Sequence, residues 1–186
     1  MAKKIIFSDS IYTSELKDAV LDKHIQTILK KAKEQNQLTI RSNQGGLQTS
    51  DILDKTLSNC LTESIKKGLD AFQVKAKKIW ISSAWVNENK KGDYNILHVH
   101  PRALFVGNYY SIVPDNSGDI SFFRNDVCVS MQAYPPLFST TDSFCYYSVT
   151  PSNSLFMIFP AHLQHEVKPN NSNESRISLS FNINVE

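Results

Sequence analysis

The alternation of apolar and polar positions divides the chain into two parts with different periods. From Glu15 to Lys33 the apolar residues Leu16, Val20, Leu21, Ile25, Ile28 and Leu29 recur at threes and fours, which predicts an amphipathic helix with a lysine-rich last turn. His24 falls beside that stripe and reads as a packed histidine, not a ligand. Thr13-Ser14-Glu15 offers N-cap chemistry, and Lys4 to Tyr12 ahead of it begins as a short apolar strand. A second helical stripe runs through Leu53, Leu57, Cys60, Leu61, Ile65 and Leu69, with Thr49-Ser50-Asp51 as its cap. Between the helices, Arg41 to Ser50 carries Gly45-Gly46 among Ser, Asn, Gln and Thr, a turn-rich loop that lets backbone approach a neighbour closely.

Beyond Lys78 the period becomes strand-like. Apolar or alternating runs occupy Ile79 to Asn87, Tyr94 to His100, Leu104 to Val113, Ile120 to Phe123, Phe144 to Val149, Ser154 to Phe159, Leu163 to Val167 and Arg176 to Val185. Turns rich in Gly, Pro, Asn and Asp separate them, and Val127 to Ser143 is irregular, with Pro135-Pro136 inside it. Short strands at this spacing predict a sandwich or jelly-roll barrel. The expected fold is therefore mainly β with N-terminal helices, an α+β chain forming one domain over 1–186. Residues 1–77 would supply a strand, helices and the glycine loop, and 78–186 the β core.

The last strand alternates most cleanly. Ile177, Leu179, Phe181, Ile183 and Val185 make one face apolar; Arg176, Ser178, Ser180, Asn182 and Asn184 make the other polar. Two arrangements explain this: a polar face turned to bulk water, or a polar face lining a wet barrel interior with the apolar face under the helices. In the second, Arg176 sits at the barrel mouth, where its planar fork suits a carboxylate.

Composition narrows the function classes. A net charge of +2 argues against nucleic acid, and the lysine patches Lys30–Lys33 and Lys75–Lys78 read as solvated helix ends. Cys60, Cys128 and Cys145 are odd in number and widely spaced, which argues against a disulfide framework and a zinc–thiolate site. No apolar run is long enough to span a membrane, and no secretory signal is legible, so a cytoplasmic protein is expected.

Candidate chemistry centres on Asn95-Ile96-Leu97-His98-Val99-His100-Pro101. Residues two apart on a strand share a face, so His98 and His100 can grip one metal ion, and Pro101 suits a strand end. A third histidine, His165, stands eleven residues before Arg176. Three protein ligands on one side of a divalent metal leave open positions, the arrangement of non-haem iron oxygenases.

Several short signatures carry a wider resemblance. They are Ser42-Asn43-Gln44-Gly45-Gly46, Ala84-Trp85-Val86-Asn87, Asn95-x-x-His98-x-His100-Pro101, Gly107-Asn108-Tyr109-Tyr110 and Ser117-Gly118-Asp119-Ile120-Ser121-Phe122. Phe159-Pro160-x-x-x-x-His165-x-Val167 and Arg176-Ile177-Ser178-x-Ser180-Phe181-Asn182 complete the series, in order over nearly the whole chain. In these the chain resembles the 2-oxoglutarate/Fe(II)-dependent oxygenases, and more narrowly a prolyl-hydroxylase-like family frequent in marine phages and bacteria. The superfamily pattern is HxD or HxE, a distant His and a basic residue about ten positions later. This chain departs from it at one place, with His100 where the acid stands.

The resemblance implies a double-stranded β-helix, cupin-like in form, with His98, His100 and His165 on the metal. It implies Arg176 on the far carboxylate of 2-oxoglutarate, with Ser178 and Tyr110 beside it; the paired Tyr109-Tyr110 leaves that register open by one. Fe(II) and 2-oxoglutarate are the implied cofactors, dioxygen the co-reactant, and hydroxylation of an unidentified substrate the implied reaction, with a protein prolyl residue the analogue. Asn43, Asn87 and the Gln132 to Ser143 segment are candidates for the substrate rim. Two other functions fit the same pattern. One is a cupin-like three-histidine metalloenzyme without 2-oxoglutarate; the other is a non-catalytic jelly-roll module, for binding or in a virion. Because imidazole must be neutral to ligate, metal affinity is expected to fall as pH drops through about 6.5.

Overall fold

The computed structural model describes residues 9–123 and 146–186. Two helices and twelve strands are found among them. Helix α1 (Ala19–Glu34) is capped by Asp18, whose side chain accepts from the Val20 and Leu21 amides; α2 (Lys55–Ala71) is capped by Asp54, which accepts from Leu57. Both helices start later than Thr13–Glu15 and Thr49–Asp51 suggest, because those residues are committed elsewhere. Strand β1 (Tyr12–Glu15) pairs with β10 (Leu155–Pro160), and β4 (Leu47–Thr49) pairs with β5 (Ile79–Asn89). Asp51 Oδ1 accepts from both Leu53 and Ala84 amides, pinning the helix entry to β5. Of the early strand expected at Lys4 to Tyr12, residues 4–8 lie outside the described residues, 9–11 are not strand, and Tyr12 opens β1. His24 is not a core residue either. Its Nε2 lies 2.7 Å from Asp54 Oδ2, so it ties α1 to the cap of α2.

The glycine loop proves to be partly strand. β2 (Leu38–Thr39) and β4 pair with each other, and β3 (Asn43–Gln44) joins the opposite sheet through β6 (Tyr94–His98), with Gly45 at φ +77° turning the chain between them. The remaining strands are β7 (Phe105–Ile112), β8 (Ile120–Phe123), β9 (Tyr146–Val149), β11 (Gln164–Val167) and β12 (Arg176–Val185). They form two antiparallel sheets, ordered β1-β10-β7-β12-β5-β4-β2 and β3-β6-β11-β8-β9. Facing sheets of this kind make the expected jelly roll.

Alternation along the strands of the larger sheet decides what each face meets. Its outer face carries Ala84, Val86, Tyr109, Phe156, Ile158, Leu179, Phe181 and Ile183, all buried against Leu21, Ile25, Leu57, Leu61, Ile65 and Leu69 of the helices. Lys33 of α1 reaches the buried carboxylate of Glu88 in β5 at 2.7 Å and adds an ion pair to that layer. The inner face is apolar at one end, where Val106, Met157 and Phe159 pack with Ile120 and Phe122 of the smaller sheet. At the other end, on β5 and β12, it is polar. Helices on one side and an apolar plug at one end thus leave a wet cavity between the sheets.

Gly107 shows how tightly the helix-side layer is packed. It pairs with Ile158 on one flank and Phe181 on the other, and a Cβ there would come within 2.1 Å of two ring carbons of buried Phe181. Overpacking of this kind costs about 1–3 kcal/mol. Gly107→Ala is expected to lower the melting temperature by roughly 3–10 °C, read by thermal unfolding. An unchanged midpoint would mean that Phe181 has room to move aside.

Candidate active site

The three histidines meet in the cavity wall. His98 closes β6 directly opposite His165 of β11, and His100 follows beyond the strand end, its amide donating to Ala161 O at 3.0 Å. Ring centroids are 4.3 Å apart for His98 and His165, 5.1 Å for His98 and His100, and 5.2 Å for His100 and His165. One nitrogen from each lies within 4.8 Å of the others, close enough to share one ion.

Hydrogen bonds select which nitrogen is available. His98 Nδ1 faces Ile96 O at 2.7 Å, His165 Nδ1 faces Leu163 O at 2.9 Å, and His100 Nδ1 faces Asn182 Oδ1 at 2.9 Å. An oxygen of this kind only accepts, so each Nδ1 carries the proton and each Nε2 keeps its lone pair. Asn182 is itself held by donation from Nδ2 to Ser83 Oγ at 2.9 Å, and Trp85 stacks on the His100 ring at 5.6 Å. Burial drives all three imidazoles toward the neutral form. It depresses His98, pushes His100 down to about 4 with the His98 charge adding to it, and holds His165 well below its ordinary value. Three neutral imidazoles with lone pairs converging suit a divalent first-row metal and leave coordination positions for other ligands.

Arg176 opens β12 on the inner face and is 1% exposed. Its Nη1 donates to the carbonyls of Ser117 and Gly118, the second at 3.1 Å. Gly118 can present that carbonyl because it turns at φ +85°, where a Cβ would also meet Pro169 O at 2.6 Å. Nη2 is buried and has no hydrogen-bond partner among the described residues. Half of the fork is therefore anchored, and the other half keeps an unmet donor in a residue that lines the cavity. Tyr110, the next large group, is buried beside it; burial raises its phenol to about 12, with Arg176 opposing and Asp119 reinforcing the shift. Ser178 lies in register between Tyr110 on one side and Asn87 on the other.

His98, His100, His165, Arg176, Tyr110 and Ser178 all line one cavity of about 910 Å³. Asn87 lines it too, donating from Nδ2 to Ser180 Oγ at 3.1 Å and leaving its buried Oδ1 without a partner. Asn43 is placed differently. Its side chain accepts from the Arg41 amide and donates to Gly46 O, so it shapes the loop and does not line the cavity. Tyr109 points the other way, donating to Asp22 Oδ1 at 2.9 Å in the helix layer. His162 lies at the surface 3.5 Å from Asp9 and takes no part in the cluster. The Gln132 to Ser143 segment lies outside the described residues. Ser83 carried no signal in the sequence, and the roles of Trp85 and Asn182, which stand in the signatures above, follow from the β5–β12 register that sets Asn182 opposite Ser83.

A jelly roll enclosing three converging imidazoles and a half-anchored arginine offers a place where one metal ion could be held. Residues 83–182, more than half of the chain, match the family model described as "Putative 2OG-Fe(II) oxygenase", and the chain belongs to that family. Its cofactors are Fe(II) and 2-oxoglutarate, and the converging imidazoles and the unmet Arg176 donor fit both. Among solved structures it is similar to a Pseudomonas putida prolyl-4-hydroxylase, at 14% identity and TM-score 0.61, with 96% of this chain and 94% of that one covered. It is also similar to HygX from Streptomyces hygroscopicus with nickel and 2-oxoglutarate bound (10% identity, TM-score 0.62, 95% and 83% covered). A Trichoplax adhaerens prolyl hydroxylase in complex with a hypoxia inducible factor peptide fragment matches at 10% identity and TM-score 0.62, covering 95% and 84%. At these identities the likeness is one of fold. No curated protein matches the chain in sequence. No helix among the described residues is long and apolar enough to cross a membrane.

Proposed function

We propose that this oxygenase hydroxylates a prolyl residue in a peptide or protein, with His98, His100 and His165 as its metal ligands and Arg176 as the clamp for 2-oxoglutarate. The observation that carries this assignment is the unmet Nη2 of Arg176 in the cavity of the three neutral imidazoles. A buried guanidinium with half its donors unused calls for an anion, and a carboxylate matches its fork. A three-histidine site that used no 2-oxoglutarate would leave that donor orphaned.

Each side chain has a defined task. The imidazoles bind metal through Nε2 while Ile96, Leu163 and Asn182 fix their rings. Arg176 and the protonated phenol of Tyr110 offer donors to the far carboxylate, with the Ser178 hydroxyl beside them. Asn87 and Trp85 bound the space left for substrate. Iron and 2-oxoglutarate, when bound, would with dioxygen supply an oxidant able to take hydrogen from an unactivated C–H bond, one oxygen atom going to succinate with release of carbon dioxide and the other to the substrate. Fold analogy with prolyl hydroxylases supports the choice of proline.

Incubating the Fe(II)-loaded protein with 2-oxoglutarate, dioxygen and proline-containing peptides should yield succinate and peptide that has gained one oxygen atom. Succinate without peptide oxidation across such peptides would reject the prolyl substrate. No succinate under any of these conditions would reject the oxygenase assignment of the site.

A further inference from the structure

The charge of the cavity and the residues at its rim bear on which peptide could enter. Among the described residues two further arginines line the cavity, Arg41 and Arg102, and both are exposed. Neither side chain has an ion pair or hydrogen-bond partner among the described residues. Their positions relative to the imidazoles follow from the backbone. Ser42 is bonded to β6 twice, through Ile96 N to Ser42 O at 2.9 Å and Asn95 Nδ2 to Ser42 Oγ at 3.1 Å, which holds Arg41 beside the start of the His98–His100 stretch. Arg102 stands two residues beyond His100, in a turn where its own φ is +71° and its carbonyl accepts from Asn184. The two arginines therefore flank the His98–His100 stretch, and both line its cavity.

Among the described residues the only carboxylate lining the same cavity is Asp51, and its Oδ1 is already engaged by two backbone amides. The histidine at position 100 adds to the imbalance. With an acid there, a divalent metal, dianionic 2-oxoglutarate and Arg176 would sum to zero; with neutral His100 they sum to +1, before Arg41 and Arg102 are counted. Low dielectric in a half-enclosed cavity makes that excess matter. The same rim also exposes apolar surface: Ile96 and Val99 line the cavity, and Ile40, next to Arg41, is 81% exposed.

We infer that the cavity mouth recognises an acidic peptide, with Arg41 and Arg102 pairing to carboxylates on either side of the reacting residue and Ile40, Ile96 and Val99 taking its apolar neighbours. This rests on the active-site assignment above, but it concerns binding and is tested without turnover. Rim charges of this type steer association and are screened by salt.

The probe is a set of matched peptides with a central Leu-Pro flanked on both sides by Asp, Asn or Lys. Binding to protein loaded with Mn(II) and 2-oxoglutarate, without dioxygen, is followed by calorimetry. The expected order of affinity is Asp, then Asn, then Lys, with roughly tenfold between the extremes at low salt and near convergence at molar salt. The double variant Arg41→Glu/Arg102→Glu should reverse the order while metal and 2-oxoglutarate still bind; Arg41→Gln/Arg102→Gln should flatten it. Equal affinity of the three peptides for the wild type, or no binding of any, would overturn the inference, as would an order unchanged in the Glu variant. An Asp preference in peptides that are never oxidised would reject the prolyl substrate and keep the acidic rim. Oxidation of all three peptides with equal affinity would keep the prolyl substrate and reject the rim.

Discussion

Arg176→Ala is expected to raise the dissociation constant of 2-oxoglutarate by between 30-fold and several thousand-fold while leaving the metal bound. Truncating one partner of a buried charge-assisted pair costs about 2–5 kcal/mol, and each ~1.4 kcal/mol is tenfold. The unmet Nη2 is the group that the carboxylate would use, and the 1% exposure of Arg176 keeps water from replacing it. Arg176→Lys should recover only part of the loss. An ammonium can reach either the Ser117 and Gly118 carbonyls or the ligand, but it cannot present the planar fork that serves both. His165→Ala should differ in kind and lose metal and 2-oxoglutarate together. Titration of 2-oxoglutarate into Mn(II)- or Fe(II)-loaded protein, by calorimetry or by the visible iron–cosubstrate band, separates the three variants. Equal affinity in the wild type and Arg176→Ala would mean that Arg176 serves only to hold the Ser117–Gly118 turn.

The last strand illustrates what a pattern can and cannot settle. Its alternation identifies two faces, but only the helix layer decides which face is inside. Leu21, Ile25, Leu57 and Leu61 cover Leu179, Phe181 and Ile183, and this turns Arg176, Ser178, Ser180 and Asn182 into the cavity. The His98–His100 pair was legible because it needs only a two-residue spacing. His165 needed the register of β11 on β6, which is a long-range property, and family likeness stood in for it. The choice between Tyr109 and Tyr110 likewise depends on β7 pairing, with a register shift beside Ser178 on β12. Helix starts were misplaced for a local reason: Thr and Ser have cap chemistry, but strand pairing claimed them, and Asp18 and Asp54 capped instead. The glycine loop hid strands of two and three residues, too short for any periodicity to show.

Acid should unfold the metal-free protein, and the imidazole cluster should be a main cause. In the unfolded chain each histidine protonates near pH 6.5. In the folded protein burial delays protonation of all three, with repulsion from neighbouring imidazoles adding to it for His100 and His165, and His100 is pushed down to about 4. Between those values the unfolded state binds protons that the folded state refuses, so stability falls as pH drops from about 6.5 and the loss is complete below the folded values. For His100 alone, going from pH 7.5 to pH 5 should cost on the order of 2 kcal/mol, with His98 and His165 adding to it. This changes the expectation for metal affinity drawn from ordinary imidazoles. Proton competition for the folded site begins below 6.5, and metal release in acid should coincide with unfolding instead of preceding it. Saturating metal should oppose the loss by mass action, about 2.7 kcal/mol at one hundred times its dissociation constant. Urea unfolding of metal-free wild type and His100→Gln at pH 7.5 and pH 5 tests this. The variant should lose less stability between the two pH values than the wild type does. If the metal-free wild type is equally stable at both, or if the metal leaves near pH 6.5 from a protein that stays folded, the imidazoles titrate normally and the cluster is open to water.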